Sequence, residues 1–484
     1  EGEAVVKAYN SLGYTAAAVG NHEFDYGPVG PAAIAGPGQD PLGALKKNAA
    51  DAHFTFLSAN MTEKSNGKTP SWARPWRIVV VDGVKLGIIG LSTPDTPNVT
   101  MPANVATLDF GDPLKATEDA AAELRRQGAD AVIVIAHIGG RCTDMKDVQD
   151  VASCDVNQES MRFLQALPPG TIDAYFGGHT HSQMRQYVHG VPAVQALAYS
   201  REFATLDLWV DPGTHHVAKS EIRPHTMLCT AVYSGTEQCD PRQMKADSTL
   251  VPRTFEGRAI VPDVKLTAMF APYLEKTAEK RNQPLGVRAT GAFTRGYLKE
   301  STLGDLLTDL MRQALGADVA FLNSGGIRAD IPPRDLVYSD IFEVSPFDNY
   351  PSVVVMTGAQ IADSINLTAT GDRGILQTSG LRYTADVTKG LPKHLVTVTL
   401  ADGSPLDPAR QYRVAMPDFL AAGGDGLMAV MQNVPAAQIQ TDLTQTLREL
   451  FVTALQKRAG SSEPLTPKLE GRITILNAAP GAEH

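Results

Sequence analysis

Short apolar runs separated by polar and glycine-rich segments fill the first 250 residues of the chain. Three of these runs, at residues 14–19, 131–136 and 172–176, have the length of a buried strand and are followed by glycine within three residues. Between them lie longer segments in which apolar residues recur at helical spacing. This alternation of strands and helices predicts a layered α/β fold.

Two local patterns support that prediction. Residues 78–91 contain two apolar runs around Asp82-Gly83, which predicts a β-hairpin. Residues 114–127 have the pattern of an amphipathic helix, and Gly128 follows as a C-cap.

The first residues also have helical spacing, with Ala4, Val5, Ala8 and Leu12 on one repeat. The chain opens at Glu1 with no strand before this helix. We therefore interpret it as an N-terminally truncated fragment or a trimmed chain.

The second half repeats the alternation. Residues 303–311 form an amphipathic helical stripe, and strand-like runs follow at 319–322, 353–356 and 396–400. Residues 263–281 are charged and helical in pattern, which favours a connector that could act as a hinge. The predicted division is a first domain at 1–262, a helical connector at 263–283, a second domain at 284–476 and a tail at 477–484.

Each of the three strands in the first half ends at a candidate metal ligand. Asn21 follows the first strand, His137 the second, and His179 and His181 the third. Sites in α/β sheets gather beyond the carboxyl ends of strands, so these side chains can converge. One residue separates His179 from His181, so their side chains would lie on the same face of an extended chain. Nitrogen and oxygen ligands of this kind suit zinc or manganese.

Composition limits the function classes. The 484 residues carry a net charge of −10, which argues against binding long nucleic acids but not against a small phosphorylated substrate. No apolar stretch approaches the ~18 residues of a membrane span. The four cysteines form two local pairs, Cys142 with Cys154 and Cys229 with Cys239. Such pairs predict two disulfides and an oxidising compartment.

Several motifs together resemble a known family. GNHEFD at 20–25, His137 and GGHTH at 177–181 resemble the calcineurin-like dinuclear metallophosphatases. In the second half, NSGGIR at 323–328 and FLAAGGDG at 419–426 resemble the C-terminal substrate domain of 5′-nucleotidases, as do Ser345-Pro346-Phe347 and Gln377-Thr378-Ser379-Gly380. The resemblance implies a four-layer α-β-β-α metallophosphatase sandwich followed by an α+β substrate-binding domain.

For the first domain, the resemblance implies two divalent metal ions, zinc, manganese or similar. Asn21, His137 and His179 would bind one ion and His181 the other. The family's Asp-x-His pair and bridging Asp would precede residue 20, so we expect this chain as written to bind metals poorly and turn over slowly. His22 resembles the catalytic histidine, with Asp25 orienting its imidazole. The alternative for Asp25 is a helix N-cap.

For the second domain, the resemblance implies substrate contacts with distinct roles. Arg328 would face phosphate, and Arg295 would be a second arginine on the substrate side. Asn323 would hydrogen-bond the base, two aromatic rings would stack on it, and Asp425 would accept hydrogen bonds from ribose hydroxyls. Gly380 would permit close backbone approach. The alternatives are surface salt bridges for the arginines, core packing for the phenylalanines and a turn for Asp425. The full set is Arg295, Asn323, Arg328, Phe347, Gly380, Phe419 and Asp425.

The function implied is metal-dependent hydrolysis of nucleoside 5′-monophosphates to nucleoside and phosphate, by a periplasmic or secreted monomer or dimer that binds no nucleic-acid polymer. Alternatives on the same scaffold are a UDP-sugar hydrolase, a 2′,3′-cyclic-nucleotide phosphodiesterase or a thiosulfohydrolase. A further alternative is a nucleotide-binding protein without turnover.

Overall fold

The computed structural model describes residues 2–30, 32–239, 248–370, 374–389, 394–459 and 464–477. The predicted tail at 477–484 lies outside the described residues except for Asn477. Contacts divide the chain into a first unit, Glu1–Pro97 with Asn104–Ala271, and a second unit, Asn98–Ala103 with Pro272–His484. The domain and connector boundaries taken from the sequence stay a prediction.

The described chain contains helices throughout, apart from a run of strands between residues 174 and 259. The helices are α1 Glu3–Leu12, α2 Gly43–Asp51, α3 Thr96–Val99, α4 Pro102–Val105, α5 Pro113–Arg126, α6 Glu159–Ala166, α7 Val264–Arg281, α8 Thr302–Ala314, α9 Tyr338–Val344, α10 Gly358–Thr368, α11 Asp418–Ala421, α12 Met428–Met431 and α13 Leu447–Arg458.

The strands are mostly short. Those of the first unit are β1 Ala16–Ala18, β2 Thr55–Leu57, β3 Met61–Glu63, β4 Trp76–Val81, β5 Val84–Ser92, β6 Leu108–Phe110, β7 Ala131–His137, β8 Ala174–Phe176, β9 Met184–Val188, β10 Val191–Gln195, β11 Glu202–Phe203, β12 Leu206–Asp211, β13 His216–Ile222, β14 Thr226–Met227, β15 Ala231–Tyr233, β16 Leu250–Pro252, β17 Thr254–Phe255 and β18 Arg258–Ala259. Those of the second unit are β19 Pro284–Arg288, β20 Val319–Asn323, β21 Asp335–Val337, β22 Pro351–Thr357, β23 Leu376–Ser379, β24 Leu381–Asp386, β25 Leu395–Leu400, β26 Gln411–Pro417, β27 Ile439–Thr441 and β28 Ile473–Leu476.

The main sheet of the first unit has the strand order β4-β5-β7-β8-β10-β9. Its inner strands β5, β7, β8 and β10 run parallel, and the antiparallel strands β4 and β9 form its edges. A separate parallel pair, β1-β2, belongs to the same unit. Because β7 and β8 are parallel neighbours, the segments that follow them emerge at the same edge of the sheet.

Local sequence patterns explain several of these elements. The helix predicted at 114–127 is present as α5, where the Asp112 carboxylate accepts a hydrogen bond from the Leu114 amide and Gly128 adopts a φ of 81°. The predicted hairpin is present as β4-β5. Its turn residues Asp82 and Gly83 both have positive φ, the conformation that matches strand twist in a tight hairpin.

The first helix is also present, as α1, but its buried face differs from the predicted stripe. Val6 and Ala8 are buried, whereas Val5 is 51% exposed and Leu12 is 58% exposed. Ala8 of the predicted repeat is therefore buried, whereas Val5 of that repeat is not. The spacing identified the helix but not its whole buried face.

Both predicted disulfides are confirmed. Cys142 bonds to Cys154, and Cys229 bonds to Cys239. The first pair is buried in the core of the main sheet with Met161. All four cysteines of the sequence lie in the first unit.

The second unit contains a mixed sheet of order β23-β20-β26-β22-β27 and a smaller sheet of order β25-β24-β28. Helix α8 packs against the mixed sheet through Leu303, Leu307 and Met311, as its predicted stripe requires. The Ser301 hydroxyl caps α8 by accepting from the Gly304 amide. The predicted α/β and α+β class is confirmed. In the described residues, no helix is both long and apolar enough to cross a bilayer.

Candidate functional site

Three predicted ligands of the first unit lie in contact with one another. His137 is the last residue of β7, and its Nε2 lies 2.9 Å from Asn21 Oδ1 and 3.2 Å from His179 Nδ1. Asn21 is 2% exposed and begins a short 3₁₀ helix directly after β1. We call Asn21, His137, His179 and His181 the histidine cluster.

The chemistry of these donors fits a divalent cation. Burial, and after it the neighbouring imidazoles of His179, His22 and His181, lowers the pKa of His137 well below its usual range. A neutral imidazole beside an amide oxygen offers lone pairs of the type that zinc and manganese bind. In the part of the chain that the structure describes, no group of three or more His, Cys, Asp or Glu side chains could hold a metal ion. The closely spaced set is therefore two histidines and an asparagine.

The conformation assumed for the GGHTH segment is wrong. His179 has a φ of 77° and His181 a φ of 54°, so the chain between them is not extended. The Thr180 amide donates to the Gly178 carbonyl and its hydroxyl donates to the Gly140 carbonyl, which together hold a tight turn. The His181 ring lies beside Tyr199, with 5.4 Å between ring centroids.

The predicted pairing of His22 with Asp25 is present. His22 Nδ1 lies 2.6 Å from Asp25 Oδ2, a spacing that fixes the ring and directs Nε2 away from the carboxylate. The two residues lie three apart in and just after the 3₁₀ helix that begins at Asn21. The catalytic role of His22 stays a prediction.

In the second unit, the two predicted arginines are linked. Arg295 donates from Nη1 to the Arg328 carbonyl over 2.8 Å, and its amide donates to Asp330. Arg328 donates from Nη1 to the Gly325 carbonyl. Asn323 ends β20 immediately before this turn, so the NSGGIR segment places Asn323 and Arg328 on one short loop.

The two predicted aromatic residues, which we call the aromatic pair, are Phe347 and Phe419. The Arg328 guanidinium lies over the Phe347 ring at 5.7 Å from its centroid. A Cβ at Gly424 would lie 2.2 Å from the Phe419 ring, so the ring packs directly on the glycine backbone. Asp425 adopts a φ of 51° and lines a small pocket with Thr368, Gly374, Ile375 and Leu376.

Gly380 has a packing reason to be glycine. Its φ is 87°, and a Cβ there would lie 2.1 Å from the Asp318 carbonyl oxygen. The close approach is therefore to another segment of this chain. Its predicted contact with substrate stays a prediction.

The sequence analysis did not single out the polar residues that support the aromatic pair. Asn349 donates to the Asp418 carboxylate over 2.9 Å, and Arg448 contacts the segment that carries Phe347. Gln377, which belongs to the Gln377-Thr378-Ser379-Gly380 motif, supports a different segment. It is fully buried and donates to the carbonyls of Gly296 and Lys299. Nothing in the sequence singled out Arg448, because the helix that begins at Leu447 was not predicted.

Comparison with known proteins assigns the second half of the chain. Residues 280–432 match the model of the 5′-nucleotidase C-terminal domain. A cell wall protein of Listeria monocytogenes, Lmo0130, is 26% identical over 99% of this chain, which spans 60% of that protein. The 5′-nucleotidase of Vibrio cholerae is 26% identical over 87% of this chain, which spans 73% of that protein.

The whole fold also has a solved counterpart. The crystal structure of a 5′-nucleotidase precursor from Thermus thermophilus is similar with a TM-score of 0.74 and 25% identity. The match covers 99% of this chain and 87% of that one. The resemblance recognised from the motifs and the predicted fold class are thus confirmed: residues 280–432 match the 5′-nucleotidase C-terminal domain, and the whole chain is similar to a solved 5′-nucleotidase.

Proposed function

We propose that the protein hydrolyses the phosphate ester of nucleotides, releasing phosphate from a nucleoside 5′-monophosphate with the help of two divalent metal ions. One observation carries the proposal. Metal-type donors of Asn21, His137 and His179 converge in the first unit of a chain whose residues 280–432 match a 5′-nucleotidase substrate domain. The relatives named 5′-nucleotidase support the reaction.

In the first unit, Asn21, His137 and His179 would bind one divalent ion and His181 would contribute to a second. Such ions, when bound, polarise the phosphoryl oxygens and generate a nucleophilic hydroxide. His22 would donate from Nε2 to a phosphoryl oxygen as negative charge builds on it. Asp25 keeps that ring oriented through the 2.6 Å contact to Nδ1.

In the second unit, Arg295 and Arg328 would bind the phosphate end of the substrate and the aromatic pair the base. The planar guanidinium group suits phosphate oxygens, and aromatic stacking accepts any base. Asn323 would hydrogen-bond the base edge, Asp425 the ribose hydroxyls and the Gly380 backbone the substrate. We further propose that residues 263–283 connect the two domains.

The test is release of inorganic phosphate from AMP by the purified full-length protein with manganese, with and without a chelator. We expect release that depends on the metal and is lost on chelation. A chain that binds manganese and nucleoside but releases no phosphate from AMP would contradict the hydrolase proposal.

A second candidate function is nucleotide binding without turnover. The observation that favours it is the donor set itself, since Asn21, His137 and His179 are all neutral as ligands. Neutral ligands alone leave the charge of two cations uncompensated. Calorimetry that shows nucleoside binding without manganese uptake would support this candidate.

We also propose a location outside the cytoplasm, periplasmic or at the cell surface. The two disulfides are typical of oxidising compartments, and one relative is named a cell wall protein. When protein isolated from its native compartment is denatured without a reductant and treated with a thiol-reactive reagent, none of the four cysteines should be labelled.

A further inference from the structure

Arg448 is a buried cation in an unfavourable place. It is the second residue of α13 and only 8% exposed. The first turn of a helix carries partial positive charge, which disfavours a cation, and burial of a charge is costly without partners. The position must therefore be explained by what the guanidinium contacts.

Those contacts converge on the segment that carries Phe347. Nη1 donates to the carbonyls of Ser345 and Phe347 over 3.2 and 3.3 Å, and Nη2 donates to Asp348 over 2.6 Å. On the other side, Nε donates to the Tyr338 hydroxyl over 3.2 Å. The guanidinium thus joins the helix before the segment to the segment itself.

The same segment is fastened at its far end. The Leu447 amide, next to Arg448, donates to the Asn349 carbonyl over 2.7 Å. The Asn349 side chain donates to Asp418, the residue before Phe419. Phe347 therefore lies between two attachment points, one on α13 and one on α11.

We propose that Arg448 is a positioning residue for nucleoside recognition: it fixes the backbone around Phe347 so that this ring can stack on a base. The inference rests on the proposed function, since it concerns the same base-binding site. Arginine is needed because a planar fork can donate in several fixed directions at once. A lysine would keep the charge but could not make all four contacts.

The experiment is calorimetric titration of the full chain with adenosine, which needs no metal and no turnover. Arg448→Lys should weaken adenosine binding about tenfold, a loss within the range of one stacked ring. Asp348→Asn, at a largely exposed position, should weaken binding less and should fold normally. Arg413→Lys is the matched control, because Arg413 also donates to backbone carbonyls, those of Leu315 and Gly316, away from the site.

A double-mutant cycle with Phe347→Ala separates positioning from general stability. If Arg448 acts through Phe347, Arg448→Lys should change adenosine affinity less than about twofold once Phe347 is alanine. Full additivity, or wild-type affinity in Arg448→Lys, would overturn the inference. Failure of the unmodified chain to bind adenosine would instead overturn the proposed function on which it rests.

Discussion

The two candidate sites differ in how their polar groups are satisfied. In the histidine cluster, groups of the same kind face each other, with His137 Nε2 only 3.2 Å from His179 Nδ1. In the second unit, the charged groups are paired within the chain, as Arg295 is with the Arg328 carbonyl and Arg448 with Asp348. The first arrangement suits a cation that the chain does not supply, whereas the second is organised before any ligand binds.

The comparison predicts that changes in the first unit affect turnover and changes in the second affect substrate affinity. The largest effect should come from His22→Ala. Loss of a donor to a developing oxyanion typically costs about 100- to 1,000-fold in kcat. We expect a fall of that size in phosphate release from AMP, with little change in KM.

His216→Ala is the control for that measurement, because His216 lies exposed at the start of β13. Asp25→Asn should lower kcat less than His22→Ala, since it removes only the orienting contact. If His22→Ala raised KM and left kcat unchanged, the division of roles between the two units would be wrong.

The disulfides allow the two units to be compared by their stability. Both lie in the first unit, and closing loops of this size contributes about 3 kcal/mol each in the chain-entropy model. The paired substitution Cys142→Ala with Cys154→Ala should therefore destabilise the first unit by about that amount. Hydrogen exchange resolved by peptide should show faster exchange in β7 and α6 and unchanged exchange in α8.

Paired substitution of Cys229 and Cys239 provides a second arm of that experiment. Because the Cys142 pair is buried in the main core and the other pair lies in the segments before and after β15, the first substitution should be the more damaging. Equal acceleration of hydrogen exchange in both units would contradict the expectation that the disulfides stabilise the first unit alone.

The sequence predicted helices and strands better than it predicted which face of a helix is buried or which distant residues are in contact. Helices α5 and α8 carry local signals, a cap and an apolar stripe, and both were located correctly. The buried face of α1 was predicted only in part, because Val5 and Val6 are adjacent and only tertiary packing chooses between them. The extended form assumed for His179 and His181 failed because long-range bonds from Thr180 impose a turn.

The same limit applies to the candidate sites. Motif residues that follow strands were predictable, and Asn21, His137 and His179 do come together. The role of Arg448 was not predictable, because it depends on hydrogen bonds to carbonyls about a hundred residues earlier in the chain. Contacts of this range leave no local pattern in the sequence.

A smaller effect should follow from Gly424→Ala. The new methyl group would overlap the Phe419 ring and force it to move. Loss of stacking from one ring predicts a rise of about tenfold in KM for AMP with kcat little changed. Gly111→Ala is the control, since its nearest contact would be 3.7 Å away. An unchanged KM would argue against base stacking and favour a substrate without a base, such as thiosulfate.

The last prediction concerns a buried carboxyl group of the second unit. Asp305 is 4% exposed, and its carboxyl group lies 3.6 Å from Arg472 Nε and near Glu300. Burial, opposed by the charge of Arg472 and reinforced by Glu300, raises the pKa of Asp305 to about 8. Folded protein therefore retains a proton there that the unfolded chain, with an ordinary carboxyl pKa, has released.

This difference in bound protons determines the direction in which stability changes with pH. Between the unfolded and folded pKa values the folded state binds more protons, so stability falls as pH rises from about 4 to about 8. Asp305→Asn is neutral throughout and should flatten the dependence, making the variant more stable than the unmodified chain at about pH 8. Since about 1 kcal/mol moves Tm by 2–4 °C in a domain of this size, melting curves can resolve it. Asp335→Asn, at an exposed carboxylate, is the control; an equal slope in Asp305→Asn would mean that Asp305 is ionised in the fold and paired with Arg472.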